Sequence, residues 1–172
     1  MEQDIIINKV AESGIITIDM QDFYDASKTA SIDIASLLEE GVLREKVFRE
    51  TLKNWDVSEY VGKHVALYCS EDSIIQPWAW MLLMEKLKDS TVYMCNTDQL
   101  ATEIIKRHIQ TQLNPSDYTD QRVVIKGCGA KYVNAECYVL ITQKLVPFVK
   151  SLMYGEPCST VPVYKKPKSP KK

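Results

Sequence analysis

The sequence predicts an α/β fold: a three-layer sandwich with a mainly parallel central sheet and a small N-terminal β and helical addition. Three observations predict it. From residue 64 onward, a short apolar run of strand character is followed by an amphipathic segment three times over. That order joins parallel strands by right-handed crossovers and leaves helices covering the sheet. The strand runs are continuously apolar rather than alternating, as strands covered on both faces are. The chain has 172 residues, 45% hydrophobic and 26% charged, enough for one core that needs no disulfide or metal staple. The expected organisation is one α/β domain over 1–164 and a disordered basic tail over 165–172.

In chain order, Ile5-Ile6-Ile7 begins either a short strand or a helix. Ser13-Gly14 is a turn signal, and Ile15-Ile16-Thr17-Ile18-Asp19 is a strand by its β-branched residues. Ser31-Ile32-Asp33-Ile34 either pairs with it or starts a helix that ends near Gly41. Val47, Phe48, Leu52 and Trp55 form one apolar stripe of the next helix. His64–Cys69 is a strand, and Pro77 opens a helix to about Lys88, because proline's missing N–H is not needed in a first turn. Thr91–Cys95 is a second strand. Asn96 with Gln99 suits a capping box before the stripe Leu100, Ile104, Ile105, Ile109 and Leu113, and Asn114-Pro115 stops that helix. Arg122–Lys126 is the third strand. A last helix starts near Asn134 and carries Tyr138, Ile141, Leu145, Phe148 and Leu152 on one face, kinked by Pro147. Val161–Tyr164 is a further extended segment.

The formal net charge of −2 conceals an asymmetry. Lys165, Lys166, Lys168, Lys171 and Lys172 form a tail without an acid, leaving 16 basic against 23 acidic residues over 1–164. An acidic body lacks the positive field that drives nucleic-acid binding, so no nucleic-acid partner is expected. No apolar run reaches the roughly 18–20 residues of a membrane span. The acidic start Met1-Glu2-Gln3-Asp4 is unlike a secretory leader. A cytoplasmic protein without a membrane partner is expected. No G-x-G-x-x-G or P-loop pattern occurs, and only His64 and His108 are present, which disfavours dinucleotide, nucleotide, Cys–His and His-rich metal sites.

The thiols are the informative feature. Cys69 and Cys95 end the first two of these strands, Cys128 follows the third within Gly127-Cys128-Gly129, and Cys158 lies in Gly155-Glu156-Pro157-Cys158-Ser159. Carboxyl ends of parallel strands share the edge at which open α/β folds bind ligands. Cys95 and Cys137 read as core, since cysteine often acts as a small hydrophobe. Cys69, Cys128 and Cys158 stand in turns, where exposed backbone N–H groups favour the thiolate that reacts and binds metals. The odd count and the lack of C-x-x-C argue against disulfides, zinc ribbons and thioredoxin-like pairs. Trp78 and Trp80 lie two apart on one helix, which directs one of them to the core and the other to a packing or partner surface. Asp19, Asp22 and Asp25 read as turn or capping carboxylates.

Cys69-Ser70-Glu71-Asp72-Ser73-Ile74-Ile75-Gln76-Pro77-Trp78-Ala79-Trp80 resembles a bacterial family of unassigned role, domain of unknown function 2480. Ser13–Asp19, Val124–Cys128 and Gly155–Pro162 are similar to further segments of it, in order along nearly the whole chain. The resemblance implies that the family's cysteines correspond to Cys69, Cys128 and Cys158. It also implies an association with iron–sulfur assembly proteins of the sulfur-mobilisation type. The favoured reading is a non-enzymatic accessory protein in which these three cysteines bind zinc or an iron–sulfur cluster, as soft thiolates do. Two alternatives stay open: a thiol-based sulfur acceptor or redox protein with Cys69 as nucleophile and Cys128 resolving, and an interaction module using Trp78, Trp80 and the tail.

Overall fold

The computed structural model of the chain describes residues 14–127, 129–156 and 159–167. The chain is a mixed α/β protein with mainly parallel sheets, divided into two compact units. One comprises residues 1–24 and 105–172, the other Asp25–Ile104. Ile5-Ile6-Ile7, expected as a short strand or helix start, and Lys168, Lys171 and Lys172 of the expected tail lie outside the described residues.

The first unit is built on a four-stranded sheet of β1 (Ile15–Asp19), β5 (Arg122–Lys126), β6 (Ser151–Glu156) and β7 (Ser159–Lys165), in the order β1-β5-β6-β7. β5 lies parallel to both β1 and β6, and β7 returns antiparallel to β6. Val123, Val124 and Ile125 of central β5 are all buried, which is why this strand reads as an uninterrupted apolar run. Ile105 and Ile109 of α3 (Leu100–Thr111) and Cys137, Ile141 and Leu145 of α4 (Ala135–Leu145) pack with Ile18, Val123, Ile125 and Leu152. Each such buried aliphatic side chain contributes about 1.5–3 kcal/mol relative to exposure. β7 is an edge strand, and its Pro162 fits there because proline has no N–H to donate to a ladder.

The second unit holds an all-parallel sheet of β2 (Thr29–Asp33), β3 (His64–Tyr68) and β4 (Thr91–Met94), in the order β2-β3-β4. Phe48 and Leu52 of α1 (Glu45–Asn54) and Ala79 and Leu83 of α2 (Pro77–Lys86) close over Ile32, Val65 and Leu67. Pro77 occupies the first turn of α2. The backbone N–H of Asn96 donates to Gln99 Oε1 at 3.1 Å, half of the expected capping box.

Several expectations are corrected. The strand at 122–126 does not join those at 64–68 and 91–94; it belongs to the other sheet, beside β1. The N-terminal strands are not an addition of their own: β1 pairs with β5, and β2 pairs with β3. Among the described residues, no α-helix precedes Gly41. Ile34–Leu37 is a single 3-10 turn, and Glu40 (φ 53°) and Gly41 (φ 73°) make a tight left-handed turn closed by the Glu39–Val42 bridge. The last helix ends at Leu145 instead of passing through Pro147 with a kink. Leu152 then lies in β6.

Candidate functional site

Strand β5 ends at Lys126 and β6 at Glu156. Their parallel register, Ile125 opposite Tyr154, delivers the chain from both strands to one edge of the four-stranded sheet. Asp19 ends β1 opposite Lys126. Lys126 Nζ therefore sits 3.5 Å from Asp19 Oδ2 and 3.5 Å from Glu156 Oε2, spanning three strand ends. Glu156 first, and Asp19 after it, hold the Lys126 ammonium above its ordinary pKa. Asp19 also caps the following 3-10 turn, accepting from the Gln21 N–H at 3.0 Å.

Gly127 follows β5 with φ 147°, and a Cβ there would lie 3.2 Å from Val133 Cγ1 and 3.4 Å from Tyr138 Oη. Glycine thus lets α4 approach closely behind this edge. Tyr138 meets Tyr154 edge-on at 5.4 Å. The two rings, with Ile125, Thr142, Gln143 and Leu152, line a cavity of about 390 Å³. Its wall is largely apolar with a few polar groups, the usual make-up of a small-ligand pocket.

Cys128 and Cys158 lie outside the described residues. They follow Gly127 and Pro157 in the chain, one beyond the end of β5 and the other between β6 and β7. Cys69 belongs to the second unit, just past β3. Its Sγ donates to the Glu71 carbonyl at 3.2 Å, and the neighbouring Ser70 N–H donates to Asp33 Oδ1 at 3.0 Å. Burial raises the Asp33 pKa, but the hydrogen bonds from Ser70 and Ala35 outweigh it and leave the carboxyl below its ordinary value. Because β3 pairs Leu67 with Met94, Cys95 falls opposite Tyr68 and Cys69 one residue beyond. These two thiols therefore leave adjacent strands one register step apart rather than side by side. Burial, followed by Glu103 and Asp98, pushes the Cys95 thiol pKa up. Cys137 is fully buried in α4, as its reading as core requires, and burial pushes its pKa up as well. Among the described residues, no group of three His, Cys, Asp or Glu side chains is placed to hold a metal ion.

Trp78 is engaged within its own unit. It meets Phe48 edge-on at 5.9 Å, lies 5.8 Å from the Arg49 guanidinium and donates through Nε1 to Gln76 at 2.7 Å. Trp80 is half-buried against the same core. The outer side of α2 is instead marked by Met81, 70% exposed. Sequence reasoning named Asp19 and Tyr138 singly but not the Lys126 bridge or the cavity, since both depend on which strands are neighbours.

The family model described as a protein of unknown function, DUF2480, matches residues 4–166. No curated protein and no solved structure matches the chain.

Proposed function

The chain belongs to the DUF2480 family, and we propose that it is an accessory protein binding a soft metal ion or an iron–sulfur cluster through Cys128 and Cys158. What supports this reading is the parallel, adjacent pairing of β5 and β6. Cys128 comes two residues after Lys126, and Cys158 two after Glu156, so both thiols belong to segments that extend from neighbouring strand ends. Two thiolates favour zinc, Cu(I) or an iron–sulfur centre over harder cations. Asp19 and Glu156 are already bridged by Lys126, which leaves further ligands to a partner such as an iron–sulfur assembly protein. A cytoplasmic location, with its reduced thiols, suits such a site. Among the described residues, no helix is long and apolar enough to cross a membrane.

The other two roles draw less support. The contact made by the Cys69 sulfur is a carbonyl acceptor, and Trp78 spends its ring and N–H inside its own unit.

The test is metal and acid-labile sulfide content of protein purified without oxygen and of protein reconstituted with Zn(II) or with iron and sulfide. Cys128→Ser and Cys158→Ser are each expected to lose most of the bound metal, with labile sulfide separating a cluster from zinc. Cys69→Ser decides whether the third thiol belongs to the ligand set. Full metal content in the Cys128→Ser/Cys158→Ser double variant, or no metal taken up by the parent protein, would overturn the proposal.

A further inference from the structure

Helix α2 is apolar almost all round. Its first eight residues, Pro77–Met84, are all apolar, a pattern that belongs to helices covered on every side. Its own unit covers one side only: Ala79, Leu83 and the following Leu87 are at most 1% exposed. Met81 and Met84 come four and seven residues after Pro77, which puts the three on one stripe of the opposite side. Met81 is 70% exposed, Met84 43%, and Ile74 just before the helix 90%. Met94, 63% exposed, lies on the sheet face that α2 covers, because β4 pairs it with Leu67 of the core under this helix. Neighbouring α1 shows the ordinary pattern, with Glu45, Lys46, Arg49, Glu50 and Lys53 outward.

The surroundings of the stripe are acidic. Along the chain it is bordered by Glu71, Asp72, Glu85 and Asp89 against Lys86 and Lys88. On the α1 flank, Arg49 is paired with Glu45 at 2.9 Å, Asp56 lies within electrostatic reach of Lys86, and Lys53 shares a groove with Glu85. With all of these counted, the local charge stays negative. The unit as a whole, every residue of which is described, carries 8 basic and 14 acidic side chains over Asp25–Ile104.

We propose that this methionine stripe docks a basic amphipathic helix of a partner protein. Unbranched methionine side chains repack around an incoming apolar face, and an amphipathic helix laid on such a surface is a common mode of peptide recognition. Charge selects among the occupants. A cationic helix is attracted, whereas a second copy would bring the same acidic surroundings face to face. A membrane rich in anionic lipid is repelled for the same reason. The chain's own basic tail, Lys165–Lys172, offers no aliphatic or aromatic side chain after residue 164 to cover the methionines.

Full-length protein is titrated with a fluorescein-labelled fourteen-residue peptide of leucine and lysine in helical spacing, and with its leucine–glutamate counterpart. The lysine peptide is expected to bind, more weakly at 200 than at 50 mM salt, and the glutamate peptide is not. Met81→Ser with Met84→Ser, at exposed positions that leave the core intact, should weaken binding about tenfold or more. Asp72→Lys with Glu85→Lys should also weaken it, whereas Val47→Ser with Glu50→Lys on α1 should change it less than twofold. No binding of the lysine peptide at 50 mM salt, an equally tight glutamate peptide, or full affinity in the methionine double variant would overturn the proposal. So would a parent dimer that the methionine double variant converts to monomer in sedimentation velocity, which assigns the stripe to a second copy. Binding to phosphatidylserine vesicles that the same variant loses would overturn it in favour of a membrane.

Discussion

Replacing Gly155 by alanine tests the geometry of the hairpin that carries Cys158. Gly155 lies in β6 opposite Thr160 with φ 115°, and a Cβ there would be 2.7 Å from the Ser159 carbonyl oxygen. The backbone conformation alone costs an L-residue about 1–3 kcal/mol. The clash adds about 1–3 kcal/mol, because the group in the way is main chain and cannot rotate aside. Gly14 is the control in the same unit: its φ is also positive, at 61°, but nothing lies within 4 Å of the position a Cβ would take. Gly14→Ala should cost about 1–2 kcal/mol. Both variants are unfolded in urea and followed by circular dichroism. For an m-value of about 2 kcal/mol/M, the midpoint should fall about 1–3 M for Gly155→Ala and about 0.5–1 M for Gly14→Ala. Equal shifts in the two variants, or none for Gly155→Ala, would refute the reasoning.

Phe48→Ala should destabilise the second unit by about 3–5 kcal/mol, since Phe48 is 1% exposed and braces Trp78; red-shifted tryptophan emission and a lower urea midpoint check it. His108 stacks on Phe23 at 4.1 Å, and burial, then Lys144, lowers its pKa. Its contribution to stability is therefore complete above the ordinary histidine pKa of about 6.5 and is lost as pH falls through the lower folded value. Lys144→Met should move the His108 titration upward in an NMR pH series, and an unchanged midpoint would show that the charge plays no part. Lys150→Glu with Lys165→Glu should leave the metal content unchanged; a loss of metal would show that the two edges of the four-stranded sheet are coupled.

The elements legible in the sequence were those whose local signals agree. β3 and β5 are continuous apolar runs because they are central strands. Asn134 caps α4 by accepting from the Cys137 N–H at 3.3 Å, and Asp19 and Asp25 cap short turns as their type suggests. β6 was hidden because Ser151–Glu156 contains no β-branched residue, and Leu152 continues the helical spacing set by Ile141 and Leu145. Pro147 is followed by a strand because pairing with β5 outweighs the favourable helix propensity of Leu and Met. Strand neighbours are a non-local property, so the sequence placed Cys69 and Cys128 after strands without revealing that those strands belong to different sheets.

The two edges of the four-stranded sheet carry different chemistry, and the length of its strands keeps them apart. Arg122 and Lys126 are the two ends of β5, and four steps of about 3.3 Å separate their backbones by about 13 Å. That exceeds the screening length of about 8 Å at physiological ionic strength, so exposed charge at one edge has little hold on the other. Lys126 reinforces the separation. Its ammonium is committed to Asp19 and Glu156, so β5 offers an anion no unpaired lysine at the carboxyl edge. The proposed soft-metal site would therefore draw on the thiols rather than on Asp19 and Glu156, whose carboxylates Lys126 already occupies.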